Sequence, residues 1–329
     1  MKKNWVIFLI ITVFLVGVTS LTFGQEKKPA EGMYFRLVTH GGDDPFWAVV
    51  QQGMLDAAKE LGCQVDIDLA GSDLALQQKR FAEAVAQKPN GIALVINDDT
   101  AWDKPVEEAL AAGIPVIGIN NDDSQGPAGN KRLCYIGQSE ERAGYMIGLR
   151  LFQEAKEKGI DLAKAHVAMP VEVPGANYGV VRSNGIKRAA AEFGITSFEI
   201  IDGGGLEMTT MEQRETSYLL AHPETTFMIG LGGIATDRLT DSLKAAGKEP
   251  GEVIAGGFDT TAATLNGLRE GYITATIDQQ QYLQGYYAVY VLYLYNKYGF
   301  TPNIDTGGYL VDSIEKIDLI EKLSPMHVR

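Results

Sequence analysis

Val38-Thr-His-Gly-Gly-Asp-Asp-Pro-Phe-Trp47 follows the first short apolar run of the chain, Tyr34 to Val38, and opens a helix. Asp44 stands where an N-cap belongs. Pro45 stands at the first helical position, where its missing N–H costs nothing. Behind them Phe46, Val49, Val50, Gly53, Met54, Ala57, Ala58 and Leu61 fall at i, i+3, i+4, i+7 spacing, one buried face of an amphipathic helix. The turn therefore lies at the carboxyl edge of a strand, where open α/β sheets bind ligands. It carries an imidazole, two carboxylates and two large aromatic rings, a combination that packing alone does not require.

Outward from this turn the chain alternates between short apolar strands and amphipathic helices. Strands are predicted at 34–39, 64–69, 91–96, 115–120 and 133–136, then again at 166–169, 197–201, 226–229, 253–256, 273–277 and 309–311. Helices are predicted at 45–61, 74–87, 102–112, 140–157, 178–193, 208–221, 235–246, 261–270, 279–298 and 315–323. Strands separated by helices imply parallel sheets with right-handed crossovers. The second half restarts the first. At an offset of 132, Val49–Gly62 matches Val181–Gly194 at six of fourteen positions, and Phe46 falls opposite Tyr178. The fold class expected is α/β: two similar doubly wound parallel-sheet domains whose carboxyl edges face each other across a cleft.

The first 24 residues read as a secretory signal, with Lys2 and Lys3, an apolar run from Trp5 to Val18, and a small-x-small site at Thr22-Phe23-Gly24. The competing reading is an uncleaved anchor, against which polar Thr12, Thr19, Ser20 and Thr22 speak. No cysteine stands near the cleavage point, so no lipid is expected there, and a periplasmic location follows. Losing Lys2 and Lys3 would take the formal charge from −13 to −15. An acidic chain without a basic cluster is not expected to bind nucleic acid or anionic lipid. Cys63 and Cys134, in different βα units, read as free thiols rather than a disulfide framework.

Catalysis finds no support in the motifs. His40, His166, His222 and His327 lack ligand spacing, and there is no metal-type Cys/His cluster, G-x-S-x-G, phosphate loop or G-x-G-x-x-G. No cofactor and no metal are expected, and no enzyme activity. What the strand-end loops share is hydrogen-bonding groups beside aromatic rings: His40, Asp44, Phe46, Trp47, Asn120, Asn121, Tyr178, Arg182, Asp259 and Gln279. A sugar has C–H faces that lie on aromatic rings and a rim of hydroxyls that Asp, Asn, Gln and Arg satisfy. Each residue has a structural alternative. Phe46 begins the apolar face and can be core, Trp47 lies just off that face and is expected to face the cleft, and Asp44 can be only a cap. His40 divides evenly between ligand contact and a loop hydrogen bond.

These residues resemble the periplasmic sugar-binding proteins of the ribose/galactose type, the solute-binding proteins of ABC importers. The resemblance rests on Asp-Asp-Pro-Phe-Trp after the first strand, Ile117-Gly-Ile-Asn-Asn121, Val181-Arg-Ser-Asn-Gly185, Gly257-Phe-Asp259, Ala275-Thr-Ile-Asp-Gln279 and the closing Asp305-Thr-Gly-Gly-Tyr309. It implies a sheet ordered 2-1-3-4-5, with the second strand and the 133–136 strand on opposite edges, and three strands crossing between the lobes. It also implies one lobe of 33–139 with 280–306 and another of 140–279 with 307–329. By the same resemblance Asn120 and Asn121 occupy the ligand pair, Arg182 the arginine of the second domain, Asp259 the Gly-Phe-Asp aspartate and Gln279 the hinge glutamine. Two departures stand out: Asn-Asn replaces Asp-Arg, and Gly232-Gly233 replaces an Asn-Asp pair. The function implied is a monomeric receptor that closes on a sugar or polyol and delivers it to the transmembrane subunits of an ABC permease. The alternative class is a signalling receptor presenting a sugar or furanosyl signal to a chemoreceptor or sensor kinase.

Overall fold

The computed structural model describes residues 27–42, 45–71 and 73–329. The predicted export signal, with its expected cleavage after Gly24, and the predicted cap and ligand residue Asp44 lie outside the described residues.

Two six-stranded sheets organise the chain. The first joins β1 (Tyr34–Thr39), β2 (Gln64–Leu69), β3 (Gly91–Leu94), β4 (Val116–Ile119), β5 (Tyr135–Gly137) and β11 (Ile304–Asp305) in the order β2-β1-β3-β4-β5-β11. The second joins β6 (His166–Val171), β7 (Ser197–Asp202), β8 (Thr225–Ile229), β9 (Ile254–Phe258), β10 (Ile273–Asp278) and β12 (Tyr309–Val311) in the order β7-β6-β8-β9-β10-β12. The expected 2-1-3-4-5 order is therefore present twice. The pairing is parallel except at β10–β12. Strand β11 escaped the sequence reading because two residues carry no periodicity.

Helices cover both faces of each sheet, so the central strands are buried on both sides. Alternation sorts their side chains. Phe35, Leu37, Ala93 and Val95 face one core with α1 (Pro45–Leu61) and α9 (Gln281–Tyr298). Val38, Ile92, Leu94 and Ile96 face another with α2 (Leu74–Ala86) and α3 (Asp103–Ala111). In the second sheet, α4 (Glu140–Glu157) and α5 (Asn177–Ala191) cover one face. Helices α6 (Met208–Ala221) and α7 (Gly233–Ala245) cover the other, and α8 (Ala262–Glu270) and α10 (Ile314–Leu323) share a small core with Val311. Cys63 precedes β2 and Cys134 precedes β5, on opposite sides of the sheet, and both thiols are free.

One helix pair in each half packs at backbone contact. A Cβ added to Gly53 of α1 would overlap Tyr282 O, and one on Gly285 of α9 would overlap Val50 O. In the second half a Cβ on Gly144 of α4 would overlap Arg182 O, and one on Gly185 of α5 would overlap Glu141 O. Gly185 is the repeat partner of Gly53 at the offset of 132. Only hydrogen at these positions lets the helices approach so closely.

The chain passes between the sheets three times: after β5, between β10 and α9, and between β11 and β12. A buried polar network ties these passages together. Asn120 Nδ2 donates to Gln284 Oε1 at 3.2 Å, and Gln284 Nε2 lies 3.4 Å from both Gln279 O and Thr306 Oγ1. Thr306 Oγ1 donates to Gln279 O at 3.0 Å. In a low-dielectric site these bonds fix the geometry of the crossing segments.

Candidate site between the two sheets

At the carboxyl ends of β4 and β9 the backbone turns through the left-handed region at Asn120 (φ +62°) and Asp259 (φ +71°), and Gln280 (φ +53°) does so beyond β10. Asn and Asp tolerate this conformation better than other non-glycine residues, and such strain concentrates at functional sites.

The second sheet contributes a dense polar cluster. Arg182, 4 % exposed, enters from the first turns of α5. Its Nε and Nη2 donate to the Glu140 carboxylate at 2.5 and 3.1 Å, and Nη1 donates to Leu231 O at 2.8 Å. The guanidinium lies over the Phe258 ring at 4.1 Å and the Tyr178 ring at 5.1 Å. Burial opposes its charge, but Glu140 and then Asp259 more than offset that and raise its pKa. Tyr178 donates its hydroxyl to Glu172 Oε2 at 2.8 Å. Glu172 Oε1 accepts the Ile234 and Ala235 amides at 3.0 Å each, at the N-terminus of α7. Asp259 Oδ1 accepts Gln279 Nε2 at 2.6 Å. Burial pushes Asp259 up to about 6, against the pull of Arg182 and of the Gln279 hydrogen bond.

The first sheet contributes rings. His40 meets Trp47 edge-on at 5.7 Å, and Phe46 meets Trp47 at 5.2 Å. Burial pushes the His40 imidazole down to about 4, so the ring is neutral at pH 7, and its Nδ1 is buried without a hydrogen-bond partner among the described residues. Trp47 departs from its expected place facing the cleft. Trp47 is 6 % exposed and belongs to the core of its lobe, whereas Phe46 is half-buried at the edge of that core. The cause is Gly41: a Cβ there would overlap the Trp47 indole, so the glycine leaves room for the ring to fold inward beneath the turn.

Where the two sheets meet, Asn177 Nδ2 donates to Asp122 O at 3.0 Å, bridging the two halves. Beside this contact lies a cavity of about 660 Å³, lined from both halves by Asn121, Arg132, Gln138, Glu140, Asn177 and Tyr178 among others. Of the ten residues singled out in the sequence, nine are described, and all nine lie at or next to strand ends or helix starts on these facing edges. Tyr178 and Arg182 come together, as do Asp259 and Gln279, and Trp47 with Phe46 and His40. Asn120 is committed to the crossing network, and Asn121 is the member of that pair that lines the cavity.

Two participants escaped the sequence reading. Glu172 could have been found from its place, a carboxylate directly after the apolar run of β6. Glu140 offered only an acid in a first helical turn, which reads as a dipole complement. Glu172 also occupies the space freed by Gly232-Gly233: a Cβ on Gly232 would overlap its carboxylate, and one on Gly233 would meet Asp259 Oδ2 at 2.5 Å. The side chains missing from that glycine pair are replaced by groups from neighbouring strands.

Two doubly wound lobes, three crossings and polar groups on both facing edges define a two-lobed solute receptor. The chain matches the periplasmic binding protein domain over residues 35–298, and it belongs to that family. It is 30 % identical over 288 residues to the xylose/arabinose-binding protein XylF of Sulfolobus acidocaldarius, covering 83 % of this chain and 69 % of that protein. Among solved structures it is similar to a periplasmic sugar-binding protein of an ABC sugar transporter from Legionella pneumophila. That likeness has a TM-score of 0.73 and 28 % identity, over 84 % of this chain and 100 % of the other. A carbohydrate transporter protein from Acidothermus cellulolyticus in complex with myo-inositol gives a TM-score of 0.76 at 25 % identity, over 90 % of this chain and 99 % of the other. The family is made of sugar-binding transport proteins, and this chain is a binding protein rather than an enzyme.

Proposed function

We propose that this protein is the extracytoplasmic receptor of an ABC importer and captures a sugar or polyol between its two lobes. The observation that carries the reading is the split polar site. Asp259 and Gln279 stand at strand ends of the second sheet with Arg182 on the helix beside them, the ring cluster stands at a strand end of the first, and buried crossings connect the two sheets. A ligand touching both halves favours the closed lobes by its differential affinity for that state, and the permease reads the closed form. The lobes are taken as 33–139 with 280–306 and 140–279 with 307–329. The placement of β11 in the first sheet and β12 in the second supports this division. His40, Asp44, Phe46, Asn121, Tyr178, Arg182, Asp259 and Gln279 are assigned to the ligand, with Trp47 and Asn120 as their supports. Export by the signal of residues 1–24 and a monomeric state complete the reading.

Thermal unfolding in the presence of pentoses, hexoses and polyols tests it. A bound ligand at about 100 times Kd raises stability by about 2.7 kcal/mol, a shift of several degrees. If no member of the panel moves the transition, the assignment is wrong.

A further inference from the structure

The charges at the second lobe's edge do not balance. Arg182 is the cation nearest the cluster; Glu140 takes two of its N–H groups, and its field also reaches Asp259, so one positive charge faces three carboxylates. Glu172 and Asp259 remain. Glu172 is compensated in part by the N-terminus of α7, which carries about half a positive charge. Asp259 makes no ion pair within 4.0 Å among the described residues, and its side-chain partner is the neutral amide of Gln279. The other nearby cations are already engaged: Arg132 with Asp122, Arg142 with Asp305 and Arg329 with Asp278.

The hydrogen bonds lean the same way. Gln279 is 4 % exposed, its amide nitrogen is held by Asp259, and its Oε1 is buried with no donor among the described residues. Asp259 and Gln279 therefore present acceptors in want of donors. A hydroxyl brings one donor along with lone pairs that need donors of their own. An ammonium brings three donors, no acceptor and a positive charge. The raised Asp259 carboxyl fits a buried anion that lacks a full counter-charge.

We infer that the cleft selects its ligand by charge, favouring a polyhydroxylated ring that carries an amine over its neutral counterpart and rejecting rings that carry a carboxylate or phosphate. The ammonium sits against the Asp259 carboxylate and donates to Gln279 Oε1. Arg182, with its charge already matched by Glu140, offers its remaining N–H groups to neutral hydroxyls and provides no anchor for an anionic sugar.

This inference rests on the proposed function, and one experiment separates the two. Calorimetric titrations at pH 7.5 compare glucose, its 2-, 3- and 6-amino derivatives and glucuronate, with parallel sets built on galactose and on myo-inositol. The expected result is that at least one amino derivative binds tenfold or more tightly than its neutral parent, that the advantage shrinks as salt is raised, and that the acids give no heat. In Asp259→Asn the ratio of amine to neutral affinity falls toward one. Neutral rings binding as tightly as every amino derivative, or acids binding as well as neutral rings, would overturn this inference alone. Absence of binding by every compound of this set would overturn this inference, and the proposed function falls with it only if the pentoses and polyols of the thermal panel are silent as well.

Discussion

The two lobes share their packing and differ in their chemistry. Both stack six strands in the same order, and both bring one helix pair to backbone contact through glycines, Gly53 with Gly285 and Gly144 with Gly185. At the strand-end edge the repeat diverges. Val50, fully buried in the first lobe, corresponds to Arg182 in the second, and Trp47 corresponds to Gly179, where a Cβ would press on Val171. The first lobe thus presents rings backed by a hydrophobic core. The second presents an ion-pair and hydrogen-bond network in the same place. Duplication preserved what holds the layers together, and the strand-end positions, free of that duty, were open to become a binding surface.

The sharpest way to break this comparison is to disrupt each edge by its own logic. Glu140→Ala leaves Arg182 as an uncompensated buried cation and is expected to cost about 3–5 kcal/mol in chemical unfolding. Trp47→Ala removes a buried ring from the first lobe and is expected to cost about 3–5 kcal/mol by a cavity mechanism. The two should respond differently to repair. Replacing Glu140 and Arg182 together by apolar residues should recover much of the first loss, because no charge is left unpaired. Measured recovery near zero would show that the pair does more than neutralise itself.

The shared glycines make a smaller and symmetrical test. Gly53→Ala and Gly185→Ala should each destabilise by about 1–3 kcal/mol, because a Cβ must push apart two helices in backbone contact. Unequal losses would mean that the lobes tolerate separation differently, and Gly185→Ala, which presses on Glu141 beside the Arg182 partner Glu140, should also weaken ligand binding while Gly53→Ala should not.

Asp259→Ala addresses the site alone. It removes a charge-assisted acceptor, and ligands bound through it should lose about 1.5–3 kcal/mol while epimers that present no donor there lose less, as calorimetry will show. A uniform loss over all epimers would reassign Asp259 to support of the hinge.

The smallest effect expected is that of pH. Burial raises Asp259 from 3.8 to about 6, so its contribution to the unliganded fold is fully present below the unfolded value and is lost as pH rises through about 6. Ligand binding runs the other way, because donors from the ligand favour the carboxylate. Affinity should be greatest above pH 6 and fall as pH drops through it, approaching about tenfold per unit. A flat profile between pH 7 and 5 would show that Asp259 does not titrate in the site.

Much of this molecule was legible before any coordinates. Periodicity placed the main strands and helices. The offset of 132 exposed the duplication, and Asp259, Gln279, Arg182 and Tyr178 were placed at the strand ends and helix starts where they stand. These are local properties: alternation, helical spacing and turn residues act over a few neighbours, and a sequence displays them directly. The partnerships were not legible. That Arg182 is spent on Glu140, 42 residues away, that Glu172 fills the space left by Gly232-Gly233, and that Asn120 serves the crossing through Gln284, 164 residues away, depend on where strands come to lie side by side. The inward turn of Trp47 depends on the room left by Gly41. Sequence fixes which groups stand on the edge, because the backbone pattern decides that locally. Tertiary structure decides which of them are already satisfied by one another and which remain for a ligand, because buried charges and hydrogen bonds are settled by contacts between distant segments.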